Sequence, residues 1–98
     1  MPKVIFTISY DVNPEKRDEF LSLSQDMKAH VMKTNGKEYS IFEQKGKRNS
    51  FSEIFVFNSL EEYNQLDDQD EQMSELVQKL EGLLVDGKMK YTTLIEIE

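Results

Sequence analysis

Residues 51–63 read Phe51-Ser52-Glu53-Ile54-Phe55-Val56-Phe57-Asn58-Ser59-Leu60-Glu61-Glu62-Tyr63. The first half is dominated by β-branched and aromatic side chains, which predicts a strand. Ser59 followed three residues later by Glu62 is a capping box, so a helix opens directly behind that strand. Large apolar groups occur on both parities, Phe51, Phe55 and Phe57 on one and Ile54 and Val56 on the other. A strand of that kind belongs in the middle of a sheet rather than at its edge.

Working backward, residues 38–45 form a second extended run, joined to the first by Gly46-Lys47-Arg48-Asn49-Ser50, a glycine-containing loop of hairpin length. The two runs should pair antiparallel. Further upstream, residues 3–11 alternate Val4, Phe6, Ile8 and Tyr10 with Ile5, Thr7 and Ser9, again a strand. Asn13 offers an N-cap, Pro14 suits the first helical position, and Glu15, Asp18 and Glu19 favour the positive end of a helix dipole. Phe20, Leu23, Met27 and Val31 then fall on one stripe, and Asn35-Gly36 supplies a stop, which predicts a helix over 14–34.

Working forward, Leu60, Tyr63 and Leu66 give the second helical region an apolar edge, and Asp68 with Glu71 offers a fresh cap that divides it. Met73, Leu76, Val77, Leu80, Leu83 and Leu84 make the clearest amphipathic stripe in the chain, closed by Asp86-Gly87. Gly82 inside that stretch is expected to cost about 1 kcal/mol against alanine. Residues 88–97 form a last strand.

The order β-α-β-β-α-β with right-handed crossovers places both helices on one face of a four-stranded antiparallel sheet, an α+β, ferredoxin-like arrangement filling residues 1–98 as one domain. The first and third strands are then central, and they are the most apolar. Two helices cover one side only. An uncovered face holding several phenylalanines exceeds what soluble monomers tolerate, so a homodimer through the helix-free sheet face is expected, with a small apolar ligand as a further occupant of the space between the sheets.

Composition narrows the partners. The 98 residues carry a net charge of −7, 38% hydrophobic and 32% charged side chains and no cysteine. The acid is local: residues 1–58 sum to +1 and residues 59–87 to −8. Such a field repels phosphate backbones and anionic lipid, so neither nucleic acid nor membrane is an expected partner. The apolar stretch after Met1-Pro2-Lys3 is too short for a signal peptide or a span, which leaves the cytoplasm as the expected location. Phe6, Phe55 and Phe57 superficially match the stacking positions of an RNA-recognition fold, but the basic-glycine opening of that motif is missing.

The strand that runs through Val12-Asn13-Pro14 into Glu15-Lys16-Arg17-Asp18-Glu19-Phe20, together with Phe55-Val56-Phe57-Asn58-Ser59-Leu60-Glu61-Glu62-Tyr63, resembles the dimeric α+β barrel superfamily of antibiotic-biosynthesis monooxygenases. That resemblance implies two ferredoxin-like sheets packed face to face. Catalytic members commonly carry a tryptophan near the end of the third strand, an asparagine shortly before it and a tyrosine beyond. The matching positions here are Phe57, Glu53 and Tyr63, so only the tyrosine agrees. Haem-degrading relatives need a histidine in the second helical region, and residues 59–87 contain none; no haem or other cofactor is expected.

Glu53 and Tyr63 are the candidate catalytic residues. Glu53 shares its parity with three phenylalanines, where desolvation would make it a usable base, although a salt-bridged structural carboxylate is the commoner outcome. Phe55, Phe57, Tyr10, Tyr39 and Tyr91 are the candidate ligand-binding residues, against the more usual role of strand tyrosines in packing. His30, the only histidine, has no partner types for a metal site. Asp67, Asp68, Asp70 and Glu71 lack the glycine and spaced glutamate of a calcium loop. Lys45, Lys47 and Arg48 read as solubilising residues at a hairpin tip. Two functions remain open: a binding module filled by its dimer mate, and a metal-free, haem-free oxygenase-type enzyme acting on a small aromatic or polyketide-like substrate in the barrel cavity.

Overall fold

The computed structural model describes residues 2–34, 38–65 and 71–97. Strand β1 (Val4–Asp11) leads through a 3-10 turn (Pro14–Lys16) into α1 (Arg17–Thr34); β2 (Glu38–Glu43) and β3 (Ser50–Phe57) follow, then α2 (Leu60–Asn64), α3 (Glu71–Glu81) and β4 (Lys90–Ile95). One antiparallel sheet has the order β2-β3-β1-β4, so the two most apolar strands are central as their composition requires. Among the described residues no helix is long and apolar enough to cross a membrane.

The local signals act as their chemistry dictates. The Asn13 side chain accepts from the Glu15 amide at 3.1 Å, and the Ser59 hydroxyl accepts from the Glu62 amide at 3.2 Å. Glu62 reaches back one residue further than the simplest capping box, accepting from the Asn58 amide at 2.7 Å. Asn49 takes the left-handed backbone at φ 70°, and Gly46 does the same at φ 87° in the same turn. The stop at Asn35-Gly36, and Leu66, Asp67, Asp68 and Asp70, lie outside the described residues.

Gly82 corrects the expected helix boundary. α3 ends at Glu81, and Leu83 and Leu84 are buried from the turn that follows, where Leu84 bridges Val12. The helix-interior penalty therefore does not apply. The chain turns early because the Asn13 amide bonds the Leu83 carbonyl at 2.8 Å and the Val85 amide bonds the Asp11 carbonyl at 3.0 Å, tying the segment to the end of β1.

Register sorts every strand residue onto a face. Toward the helices lie the rows Tyr39-Phe55-Phe6-Thr93 and Ile41-Glu53-Ile8-Tyr91, with Phe51 paired to Tyr10 beyond one end and Phe57 to Val4 beyond the other. Away from them lie Glu38-Val56-Ile5-Leu94, Ser40-Ile54-Thr7-Thr92 and Phe42-Ser52-Ser9-Lys90. The β1 and β3 phenylalanines thus all face the helices, and the helix-free side is an aliphatic strip grading into hydroxyls, with Ser9 and Ser52 bonded at 3.0 Å. Of the strand phenylalanines only Phe42 joins it, which corrects the expectation of a phenylalanine-rich bare face. Larger rings go where the larger volume is, under α1, whose Phe20, Leu23, Met27 and Val31 are all buried.

Candidate functional site

Glu53 stands in the middle of β3 on the helix side, 2% exposed, between Phe51 and Phe55 along its own strand and between Ile8 and Ile41 on its neighbours. A bare carboxylate there would be costly. Two tyrosines placed on opposite diagonals meet it: the Tyr10 hydroxyl donates to Oε2 and the Tyr39 hydroxyl to Oε1, each at 2.7 Å. Burial pushes the Glu53 carboxyl above the usual carboxylate range, and the two hydroxyl bonds pull partly the other way. Burial, with the carboxylate beside them, pushes both phenols well above their ordinary value, so both remain donors at any physiological pH.

This group joins two halves of the core. Tyr10 belongs to the cluster of Phe20, Met27, Phe51 and Leu80, and Tyr39 to that of Val4, Val31, Phe55 and Phe57. Ile8 and Ile41 touch both clusters and remain half-buried.

The other candidates gather around Phe6. Phe6 stacks with Tyr91 at 6.1 Å and 13° between planes, and meets Tyr63 at 6.0 Å and Phe55 at 5.8 Å. The Tyr63 ring also stands edge-on to Phe57 at 5.6 Å, and its hydroxyl pairs with Thr93 Oγ1 at 3.2 Å. Phe6 and Ile8 are the anomaly. Both sit on a central strand facing the helices, where Val4 is 0% and Tyr10 5% exposed, yet both keep solvent access. Phe6 and Ile8 are half-buried, with Tyr63 of α2 packed on the Phe6 ring and Tyr91, itself 60% exposed, stacked on it from β4.

The placement corrects one expectation. Glu53, Phe55, Phe57, Tyr10, Tyr39 and Tyr91 all belong to the helix side of the sheet, so none of them lines a space between two sheets packed on their bare faces. The structure brings Glu53, Tyr10 and Tyr39 into one hydrogen-bonded group and Tyr63 and Tyr91 around Phe6; it does not bond Tyr63 to Glu53. Phe6, Ile8 and Thr93 were not singled out as site residues from sequence. The usable signal was volume: the bulkier parity of β3 goes under the helices, and pairing then fixes which side chains of β1 and β4 share that face.

Among the described residues two grooves are open to solvent. One, of about 520 Å³, lies at the β2–β3 turn beside Arg17, Glu43 and Lys45 to Arg48; the other, of about 400 Å³, lies between α1 and α3 beside Asp26, His30, Lys33 and Lys79. At the first, Arg17 forks onto both Glu43 oxygens at 2.6 and 2.9 Å, bonds Asn49 Oδ1 at 2.8 Å and lies over the Phe51 ring. The Arg17 guanidinium and the Asn49 amide lower the Glu43 carboxyl to about 2. That network clamps the hairpin tip to the start of α1. Among the described residues no group of acidic, histidine or cysteine side chains is arranged to hold a metal ion.

No family model matches the sequence, and no curated protein matches it either. Solved structures do match. SnoaB, a cofactor-independent oxygenase from Streptomyces nogalater, aligns with TM-score 0.79 at 15% identity over 100% of this chain and 96% of its own. The chain has the fold of an antibiotic biosynthesis monooxygenase. A protein of that description aligns with TM-score 0.69 at 17% identity over 100% and 98% of the two chains, and a conserved protein from Methanosarcina mazei Go1 with TM-score 0.82 at 16% identity over 96% and 92%. At these identities the likeness is one of fold, and the site has to be argued from its own residues.

Proposed function

We propose that this protein binds a small aromatic or apolar molecule in a cleft over the half-buried Phe6 and Ile8, working as a homodimer whose sheets meet at their helix-free faces. One observation carries the binding reading: two central-strand side chains on the helix side, Phe6 and Ile8, are only half-buried, beside the exposed Tyr91 ring and the paired Tyr63 and Thr93 hydroxyls. Tyr63 and Tyr91 flank the cleft, Phe55 and Phe57 support its floor from the next strand, and Tyr10 and Tyr39 act behind it through Glu53. The dimer reading rests on Ile5, Ile54, Val56, Leu94 and Phe42, the last two more than half exposed, on a face that none of the described helices covers. A reducing cytoplasm suits a fold held by packing alone.

Titration of 2-methoxynaphthalene followed by calorimetry tests the cleft. Saturable one-to-one binding is expected, weakened by about 0.5–1.5 kcal/mol in Tyr91→Ala through loss of the stacking ring. An unchanged affinity in that variant contradicts the placement.

A second reading, an oxygenase-type enzyme without metal or haem, is favoured by the buried Glu53 carboxyl, paired across the strands with Ile8, and by sharing a fold with a cofactor-independent oxygenase. Glu53 would then handle a proton and Tyr63 orient the substrate. Oxygen uptake with a hydroxylated polycyclic aromatic, abolished in Glu53→Gln, is the corresponding result; no uptake across a panel of such compounds leaves the binding module alone standing.

A further inference from the structure

Strand β4 is an edge. It pairs with β1 on one side, and among the described residues no strand pairs with the other. The Glu96 amide donates to the Lys3 carbonyl at 2.9 Å, so the even-numbered backbone groups of this stretch point at β1 and those of Tyr91, Thr93 and Ile95 point outward. Exposed apolar groups occur on both faces: Tyr91 and Ile95 on the helix side, Leu94 on the other, with Ile97 just beyond the strand. An open edge of this kind is a template for another strand, and lysine along it normally acts as a guard. Here the lysines have acids at mirror-image positions.

Residues 88–97 read Lys88-Met89-Lys90-Tyr91-Thr92-Thr93-Leu94-Ile95-Glu96-Ile97. A two-fold axis through Thr93, perpendicular to the sheet, sets each residue against one on the same face of a second copy. Lys90 then meets Glu96, Tyr91 meets Ile95, Met89 meets Ile97 and Thr92 meets Leu94, and the outward-pointing backbone groups supply the hydrogen bonds. The next step sets Lys88 against Glu98, which lies outside the described residues. Moving the axis by one residue spoils the match. Centred on Thr92 it puts Lys90 on Leu94, and centred on Leu94 it puts Glu96 on Thr92. The Glu96 carboxylate already accepts from the Lys3 amide at 3.1 Å and has lone pairs left for an ammonium. The other edge strand, β2, has Glu38 and Glu43 at its ends and no lysine, so it offers its own copy no such match.

We propose that β4 pairs antiparallel with β4 of a second copy about Thr93, joining two sheets side by side, with Lys90 of each copy against Glu96 of the other to fix the register. This edge is a different surface from the helix-free face assigned to the face-to-face dimer, so either contact can exist without the other. A contact made by one short strand is small, which makes the association weak and confined to high protein concentration.

Sedimentation equilibrium of the intact protein, from micromolar to several hundred micromolar at physiological salt, is expected to show the average mass rising towards a further doubling at the upper end. Lys90→Glu and Glu96→Lys each set like charges opposite one another and should weaken that step by about tenfold. Mixing the two variants should restore it, because each then finds its opposite on the other, and the double variant Lys90→Glu with Glu96→Lys should restore it as well. A bare effect of net charge predicts otherwise: Glu96→Lys brings −7 nearer to zero and would associate more strongly. Ile54→Lys, on the other surface, should leave this charge-swap pattern in place. Absence of concentration-dependent growth, single variants that associate as the intact protein does, or a mixture as weak as its components each overturn the proposal. Both substituted side chains are exposed; should one single variant not fold, the other single variant and the double variant decide the matter.

Discussion

At Glu53 the folded chain takes up protons. Its carboxyl titrates above its unfolded value, so the stabilisation tied to that proton is complete below the ordinary carboxylate value of 4.5 and is lost as pH rises through the raised one. Glu53→Gln, which carries no titrating proton, is therefore predicted to gain on the native protein steadily as pH rises; urea unfolding across a pH series measures this, and a constant difference would argue against it. Glu43 behaves in the opposite sense. Arg17 and the Asn49 amide depress it to about 2, so its contribution is present above 4.5 and is lost as pH falls toward 2. Glu43→Gln should flatten the acid limb of the stability profile and leave the alkaline limb alone. Tyr39→Phe removes one of two donors to a buried carboxyl and is predicted to cost about 1–3 kcal/mol by the same unfolding measurement.

The secondary elements were legible where a short-range rule applies. Asn13-Pro14 and Ser59 through Glu62 mark helix starts by side-chain bonds that span at most four residues, and the strands of β1 and β3 announce themselves by composition. What needed the whole fold was less visible. Nothing local says that the segment after Glu81 leaves the helix, because the cause is a pair of backbone bonds to Asp11 and Asn13, far away in sequence. A Cβ at Gly82 would meet the Lys79 carbonyl at 3.5 Å, an ordinary contact, so Gly82→Ala is predicted to change stability by less than about 1 kcal/mol in thermal unfolding. Ser59→Ala should cost about 1 kcal/mol and, by loosening the turn that carries Tyr63, weaken ligand binding as well. The same division holds for the site. Glu53 was visible as an acid among phenylalanines, but the half-burial of Phe6 and Ile8 depends on how the helices pack over β1, which no periodicity records.

For the whole molecule, the two faces of the sheet carry different tasks. Rings and the buried carboxyl lie under the helices, while Ile5, Ile54, Val56 and Leu94 form the strip assigned to a second copy. Ile54→Lys sets a charge in that strip and is predicted to convert a dimer to a monomer by sedimentation, with the cleft still able to bind. The central claim is that ligand sits on the helix side and not between sheets, and the isoleucines report on both places: Ile8 on the cleft floor, Ile5 and Ile54 on the opposite face. Methyl-labelled isoleucine spectra recorded while 2-methoxynaphthalene is titrated in should show the Ile8 methyl moving along a saturable curve with Ile5 and Ile54 still. Shifts confined to Ile5 and Ile54, with Ile8 unmoved, would contradict the account.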